Sequence, residues 1–141
     1  MLPRVFTCAM EKREEFLNWF STQWRQAEDL LHSGDASGRF ETRADHAPLT
    51  LFGAWMEALD PEAVHRVFRT LESSFSHRIS SGIELLAMDV SGNMAYTVHR
   101  ETTSTHVDGE RRDYALRVTQ VYRRENGEWK VVHRHADTAS R

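Results

Sequence analysis

The chain has 141 residues, 40% hydrophobic and 28% charged, which suits one globular domain with a real core and excludes a disordered chain. A net charge of −3 gives no electrostatic reason to bind nucleic acid or an anionic membrane, and no apolar run approaches the roughly 20 residues of a membrane helix. The single cysteine, Cys8, excludes an internal disulfide, and the start lacks the apolar stretch of a signal peptide, so a reducing cytoplasm is the expected compartment.

Residues 1–9 are expected to form a loosely ordered N-terminus, with Cys8 an inert thiol. The spacing of Phe16, Phe20, Ala27 and Leu31, widened by Leu17, Trp24 and Leu30, predicts a helix over 11–33. Glu11, Glu14 and Glu15 suit its first turns, and Gly34 is a natural stop. The stretch 33–38 reads as a loop. Within 39–57 the one clear signal is a short strand at Pro48-Leu-Thr-Leu-Phe-Gly, with proline at its edge. Asp60 as N-cap and Pro61 in the first turn open a second helix, whose stripe is Val64, Val67, Phe68, Leu71 and Phe75.

After Ser76 the period changes. Segments near 79–90, 93–105, 113–124 and 128–137 are rich in Val, Tyr, Thr and Ile. Turns at Ser91-Gly-Asn, Asp108-Gly and Asn126-Gly join them into a four-stranded antiparallel meander. Helices followed by a meander give a single α+β domain over 1–141, with helices on one face of the sheet.

Alternation sorts the strand residues into faces. Trp129, Val131, His133, His135 and Asp137 share one face of the last strand, against Lys130, Val132, Arg134 and Ala136. The strand before it divides into Arg117, Thr119, Val121 and Arg123 against Leu116, Val118, Gln120 and Tyr122. The one before that places Ala95, Thr97, His99 and Glu101 together. Alternation alone does not say which face points inward, because a one-residue slip inverts it. The set ending in His133, His135 and Asp137, apolar at one end and ionisable at the other, has the look of a pocket wall.

The run from Tyr114 through Asp137 resembles the C-terminal hairpin of SnoaL-like proteins, within the NTF2-like superfamily. The helix ending in Ser73-Ser-Phe-Ser and the strand Gly92-Asn-Met-Ala-Tyr-Thr-Val are similar to that family's elements too. The resemblance implies a cone-shaped α+β barrel, its N-terminal helices packed on a curved antiparallel sheet that encloses a pocket. It implies a homodimer through the outer sheet face, and it favours Arg117, Thr119, His133 and His135 pointing inward. Asp137 stands where the family's His-x-His-x-Ser ending has serine.

Isomerases and cyclases of this fold move a proton next to a carbonyl, with a buried carboxylate or histidine as base and a nearby donor for the oxyanion. Carried onto this chain, the catalytic candidates are Asp45 and Asp137 as bases, His135 as proton shuttle and Arg117 as oxyanion holder. Trp55, His99, Glu101, Thr119 and His133 are the ligand-binding candidates, with Glu101 a further possible base. The ligand expected is small, hydrophobic and carbonyl-containing. Against this stands a structural reading, in which Arg117 pairs with Glu101 or Asp137, and the domain binds a ligand without chemistry or serves as a dimerisation module. His133-x-His135 with Asp137 and His99 has metal-ligand residue types, but eight histidines make chance pairs common, and no metal is expected. The chain has no Gly-rich phosphate loop, and no cofactor is expected. Trp24 and Trp129 are assigned to core packing rather than to a site.

Overall fold

The computed structural model describes residues 4–139. The side chain of Cys8 lies outside the described residues, and the N-terminal segment expected to be loose is helical from Arg4 onward. Helix α1 (Arg4–Trp19) runs through a π-helical turn at Phe20–Trp24 into α2 (Arg25–Leu31). A helix of 3.6 residues per turn rotates an i, i+4 series steadily away from its face. The wider π turn offsets that drift, so Phe20 and Trp24 stack with ring centroids 5.0 Å apart and planes 3° from parallel.

Gly34, at φ +91°, ends α2 in a conformation that few other residues adopt. A short helix follows, α3 (Ser37–Thr42), which the sequence did not announce. It crosses α2 closely. A Cβ on Gly38 would lie 2.7 Å from Ala27, so the missing side chain is what lets the two helices meet. The proline-led segment contributes β1 (Thr50–Phe52), followed by β2 (Glu57–Ala58). Helix α4 (Pro61–Ser74) begins as its sequence specifies: Asp60 Oδ1 accepts a hydrogen bond from the Ala63 amide at 2.8 Å, and Pro61 sits in the first turn.

Four long strands complete the chain: β3 (Phe75–Ser91), β4 (Met94–Val107), β5 (Glu110–Glu125) and β6 (Glu128–Thr138). They form the expected meander. The whole sheet has the order β2-β1-β6-β5-β4-β3, and β1 pairs with β6 in parallel. The sheet is therefore mixed rather than antiparallel, and it stays open, with β2 and β3 as its edges, instead of closing into a barrel.

Bulges bend it. Register shifts fall in β3 between Ser76 and Ser80 and between Leu85 and Ala87, and in β6 opposite Val121 and Tyr122. The last one decides the site. Tyr122 pairs with Val131 while Val121 pairs with His133, so Val132 is the extra residue. Before it, Trp129 and Val131 face the core; beyond it, Arg134 and Ala136 do. His133 and His135 are turned out.

The helices cover the inner face. Phe16, Trp19, Phe20 and Trp24 pack on Ala95, Tyr122, Trp129 and Val131 toward one end. Leu31, Ala36, Leu49, Leu51, Val64, Phe68 and Phe75 form a second cluster, in which α4 closes over the rest of the sheet. Among the described residues no helix is long and apolar enough to cross a membrane.

Candidate functional site

Between the two clusters the inner face of the sheet turns polar. Thr97, His99, Glu101, Gln120, Tyr122 and Arg134 are all buried there. A buried polar group is tolerated when its hydrogen-bonding capacity is used, and here the partners fix every proton. Arg134 only donates: Nη1 to Glu101 Oε2 at 2.8 Å and Nη2 to Glu101 Oε1 at 2.7 Å, a bidentate pair. Its Nη1 also donates to Gln120 Oε1 at 2.9 Å, which leaves the Gln120 amide nitrogen to donate to the Tyr122 hydroxyl.

The Tyr122 proton then goes to Thr97 Oγ1 at 2.7 Å, and the Thr97 proton to His99 Nδ1 at 3.2 Å. His99 carries its own proton on Nε2 and donates it to Glu101 Oε2 at 2.9 Å. The chain of donors thus runs from Arg134 to Glu101, and the ion pair between the two completes a ring of contacts. Burial lowers the His99 pKa, in keeping with this neutral tautomer. Burial alone would raise the Glu101 pKa, but Arg134 and His99 overcome it and hold the carboxyl well below its ordinary range.

Beside this ring, between the sheet and α2, α3 and α4, lies a pocket open to water-sized molecules over about 70 Å³. Its floor is Glu101 and Arg134, joined by a second buried ion pair, Arg39 with Glu28. Arg39 is clamped between aromatic rings, its guanidinium carbon 5.3 Å from the Trp24 centroid and 5.7 Å from that of Phe68. His32 Nδ1 donates to the Glu28 carbonyl at 2.8 Å, so its Nε2 must accept from the Tyr114 hydroxyl, also at 2.8 Å. Burial brings the His32 pKa down to about 4 and the Tyr114 pKa up to about 12, so both groups are neutral at pH 7. Leu31, Leu51, Phe68, Leu71, Phe75, Leu116 and Ala136 supply apolar walls. The turn Gly53–Met56 forms the mouth, where Trp55 is 69% exposed and meets Tyr114 edge to face.

The residues singled out in the sequence separate into two groups. His99 and Glu101 face inward, and Trp55 lines the pocket mouth. Arg117, Thr119, His133, His135 and Asp137 do not point inward: the Val132 bulge turns the β6 residues to the outer face, and β5 buries Leu116, Val118 and Gln120 instead. Out there Arg117 holds Asp137 through Nε at 2.8 Å and Nη2 at 2.7 Å, an exposed pair that lowers the pKa of the aspartate. His133 Nδ1 bonds Thr50 Oγ1 at 2.6 Å, and Phe52 packs against both imidazoles. Asp45 is exposed on the loop after α3, away from the pocket. Among the described residues no group of three or more metal-ligating side chains is assembled.

Sequence reasoning missed Glu28, His32, Arg39, Tyr114 and Arg134 as pocket residues. The adjacent buried pair Val131-Val132 was the available signal for Arg134, since two core residues in a row break strand alternation.

Residues 20–139 match the family profile of the SnoaL-like domain. A comparison with curated proteins finds no match. Among solved structures, the chain is similar to a nuclear transport factor 2-like superfamily protein from Salmonella enterica serovar Typhimurium, at TM-score 0.74 and 13% identity over 94% of this chain and 95% of that one. A ketosteroid isomerase-like protein from Erwinia carotovora atroseptica superposes at TM-score 0.71 and 13% identity, over 89% and 97% of the two chains. A candidate calcium/calmodulin-dependent protein kinase type II association domain from Thiobacillus denitrificans gives TM-score 0.66 and 16% identity, over 82% and 89%. At such identities the likeness is one of fold.

The buried histidines make stability depend on pH. The folded pKa of His32, about 4, lies below the ordinary 6.5, so its neutral form is favoured by folding. That contribution is complete above pH 6.5 and is lost as pH falls toward 4, by about 3 kcal/mol for a shift of this size, with His99 acting in the same direction. Urea unfolding at pH 7.0, 5.5 and 4.5 is expected to show progressive destabilisation, and His32→Gln to flatten the profile. An unchanged slope in that variant would mean that His32 is not held neutral.

Proposed function

The chain belongs to the SnoaL-like domain family, and from that premise we propose that it binds a small, uncharged, largely apolar ligand carrying a carbonyl group, without acid–base chemistry of its own. One observation carries this reading. Both carboxylates at the pocket floor, Glu28 and Glu101, are engaged by guanidinium groups, and Glu101 accepts from His99 as well. A general base for abstracting a proton next to a carbonyl needs a free lone pair and a pKa near the working pH. Glu101 keeps one lone pair, on Oε1, but Arg134 and His99 hold its pKa well below the ordinary range, so it is a poor base at neutral pH.

The same pairing makes the floor electrically neutral, which favours an uncharged ligand over a carboxylate. Arg134 Nη2 gives one of its two hydrogens to Glu101, and the second is available to a ligand carbonyl. Trp55 supplies an aromatic surface at the entrance. The proposed contact set is Trp55, Tyr114, Arg134 and Arg39, with Glu101 and His99 positioning Arg134 from behind.

The isomerase or cyclase reading is favoured by one feature, the Tyr114–His32 pair, an acid and a base in hydrogen-bond contact on the pocket wall. Its test is direct. Incubating the protein in D2O with a small cyclic ketone should leave the ketone's α-hydrogens unexchanged above background; protein-dependent exchange lost in Tyr114→Phe would replace the binding reading with the catalytic one. In parallel, quenching of tryptophan fluorescence by neutral carbonyl compounds should saturate, with Trp55→Ala weakening affinity about tenfold. Arg117→Ala should leave affinity unchanged. Equal loss in both variants, or tighter binding of the matching carboxylic acids, would contradict the site assigned.

The outer face carries a second part of the proposal, self-association. Phe52, Leu86, Met94 and Tyr96 expose apolar surface there beside the Arg117–Asp137 pair. A sedimentation mass of two chains at micromolar concentration is expected, falling to one in Tyr96→Glu. A single-chain mass for the unaltered protein would refute the dimer.

A further inference from the structure

Behind the pocket floor lies a second, smaller cavity of about 20 Å³, with room for one occupant the size of a water molecule or a halide ion. Arg39 and Arg134 form the polar part of the partition and Leu51 and Phe68 the apolar part, since all four line both spaces. The two spaces differ in charge. The carboxylates that neutralise these arginines, Glu28 and Glu101, line the larger pocket, whereas the smaller cavity is lined by Arg39, Arg43 and Arg134 and by no acidic residue. Arg43 donates through Nη1 to the Ala44 carbonyl at 2.8 Å and through Nη2 to His65 Nδ1 at 3.3 Å, and the carboxylate that offsets its charge, Asp45, is not part of the cavity lining.

Among the described residues five buried side-chain nitrogens have no hydrogen-bond partner, and three of them, Trp24 Nε1, Arg39 Nε and Arg43 Nε, belong to residues lining this cavity. Trp24 is fully buried and Arg39 is 5% exposed, so neither can turn to bulk solvent. Each nitrogen carries one hydrogen and only donates. A water molecule in the cavity offers two lone pairs to three such donors and leaves one of them unmet, even where the Thr42 and Thr50 hydroxyls of the lining accept its own hydrogens. A monovalent anion accepts from all three and lowers the local positive charge. Burial pushes the pKa of Arg39 and of Arg43 below the ordinary value, as expected of guanidinium groups in a poorly hydrated place.

We propose that this cavity is a binding site for one small monovalent anion of halide size, held by the indole of Trp24 and the guanidinium groups of Arg39 and Arg43. The ion fastens α3 to the π turn. Arg39 is fixed from both sides, by Glu28 toward the pocket and by the anion behind it, so the anion sets the position of a residue on the pocket floor.

Bromide is the probe. Crystals grown in sodium bromide, with data collected at the bromine edge, should show an anomalous peak in the cavity within hydrogen-bonding reach of Trp24 Nε1 and Arg39 Nε. In solution, sodium bromide should raise Tm in a saturable way relative to sodium gluconate at the same ionic strength, gluconate being too large for the space. Arg43→Met should raise the half-saturating bromide concentration at least tenfold. A cavity occupied by water in the bromide crystals, bromide peaks confined to the surface, or an unchanged midpoint in Arg43→Met would each overturn the proposal. Should Arg43→Met fail to fold, the crystals of the unaltered chain decide the matter alone.

Discussion

The buried ion pair between Arg134 and Glu101 organises the interior of this protein. Two opposite charges in a core cost several kcal/mol each to desolvate, and a pair repays that only with good geometry and with its remaining hydrogen-bonding capacity filled. Both conditions are met: the pair is bidentate, and Gln120, Tyr122, Thr97 and His99 carry the hydrogen bonding round from one partner to the other. The ring spans β4, β5 and β6 and so ties three strands at one level. Removing either charge would leave the other stranded, at a cost of about 3–5 kcal/mol.

That arrangement depends on one residue of register. Without the extra residue at Val132, the alternation begun by Trp129 and Val131 would carry His133 and His135 inward and Arg134 to solvent. The bulge reverses the face in mid-strand. It also explains how far the sequence could be read. The helix over 11–33, the capped helix from Asp60 and the three hairpin turns follow local rules of periodicity, capping and turn chemistry, and all are present. The inward set of β6 does not follow such a rule, because alternation is blind to an inserted residue unless the doublet Val131-Val132 is taken as a warning.

Two other parts were illegible for different reasons. Helix α3 is six residues long, too short to show a period, and its position rests on the close approach of Gly38 to Ala27 rather than on propensity. No pattern in the sequence therefore marks Arg39 as buried, although it is only 5% exposed in the fold. The pairing of β1 with β6 joins residues about 80 positions apart, and no local signal encodes it. Glu101 and His99 were identifiable because β4 alternates without interruption from Ala95 to Thr105.

The family's fold is used for isomerase-like proteins and for association domains alike, so the distinction must come from the electrostatic state of the groups in the pocket. Here that state is set by neutralised pairs, and the central claim is that Glu101 is a locked carboxylate at every pH where the protein is folded. The most direct measurement is a 13C NMR titration of the Glu101 side-chain carboxyl in protein labelled at that carbon. The account requires an ionised chemical shift from pH 8 down to the onset of acid unfolding, with no titration midpoint above the ordinary carboxylate range. A midpoint near 6 or higher would contradict it, and would make Glu101 a candidate general base.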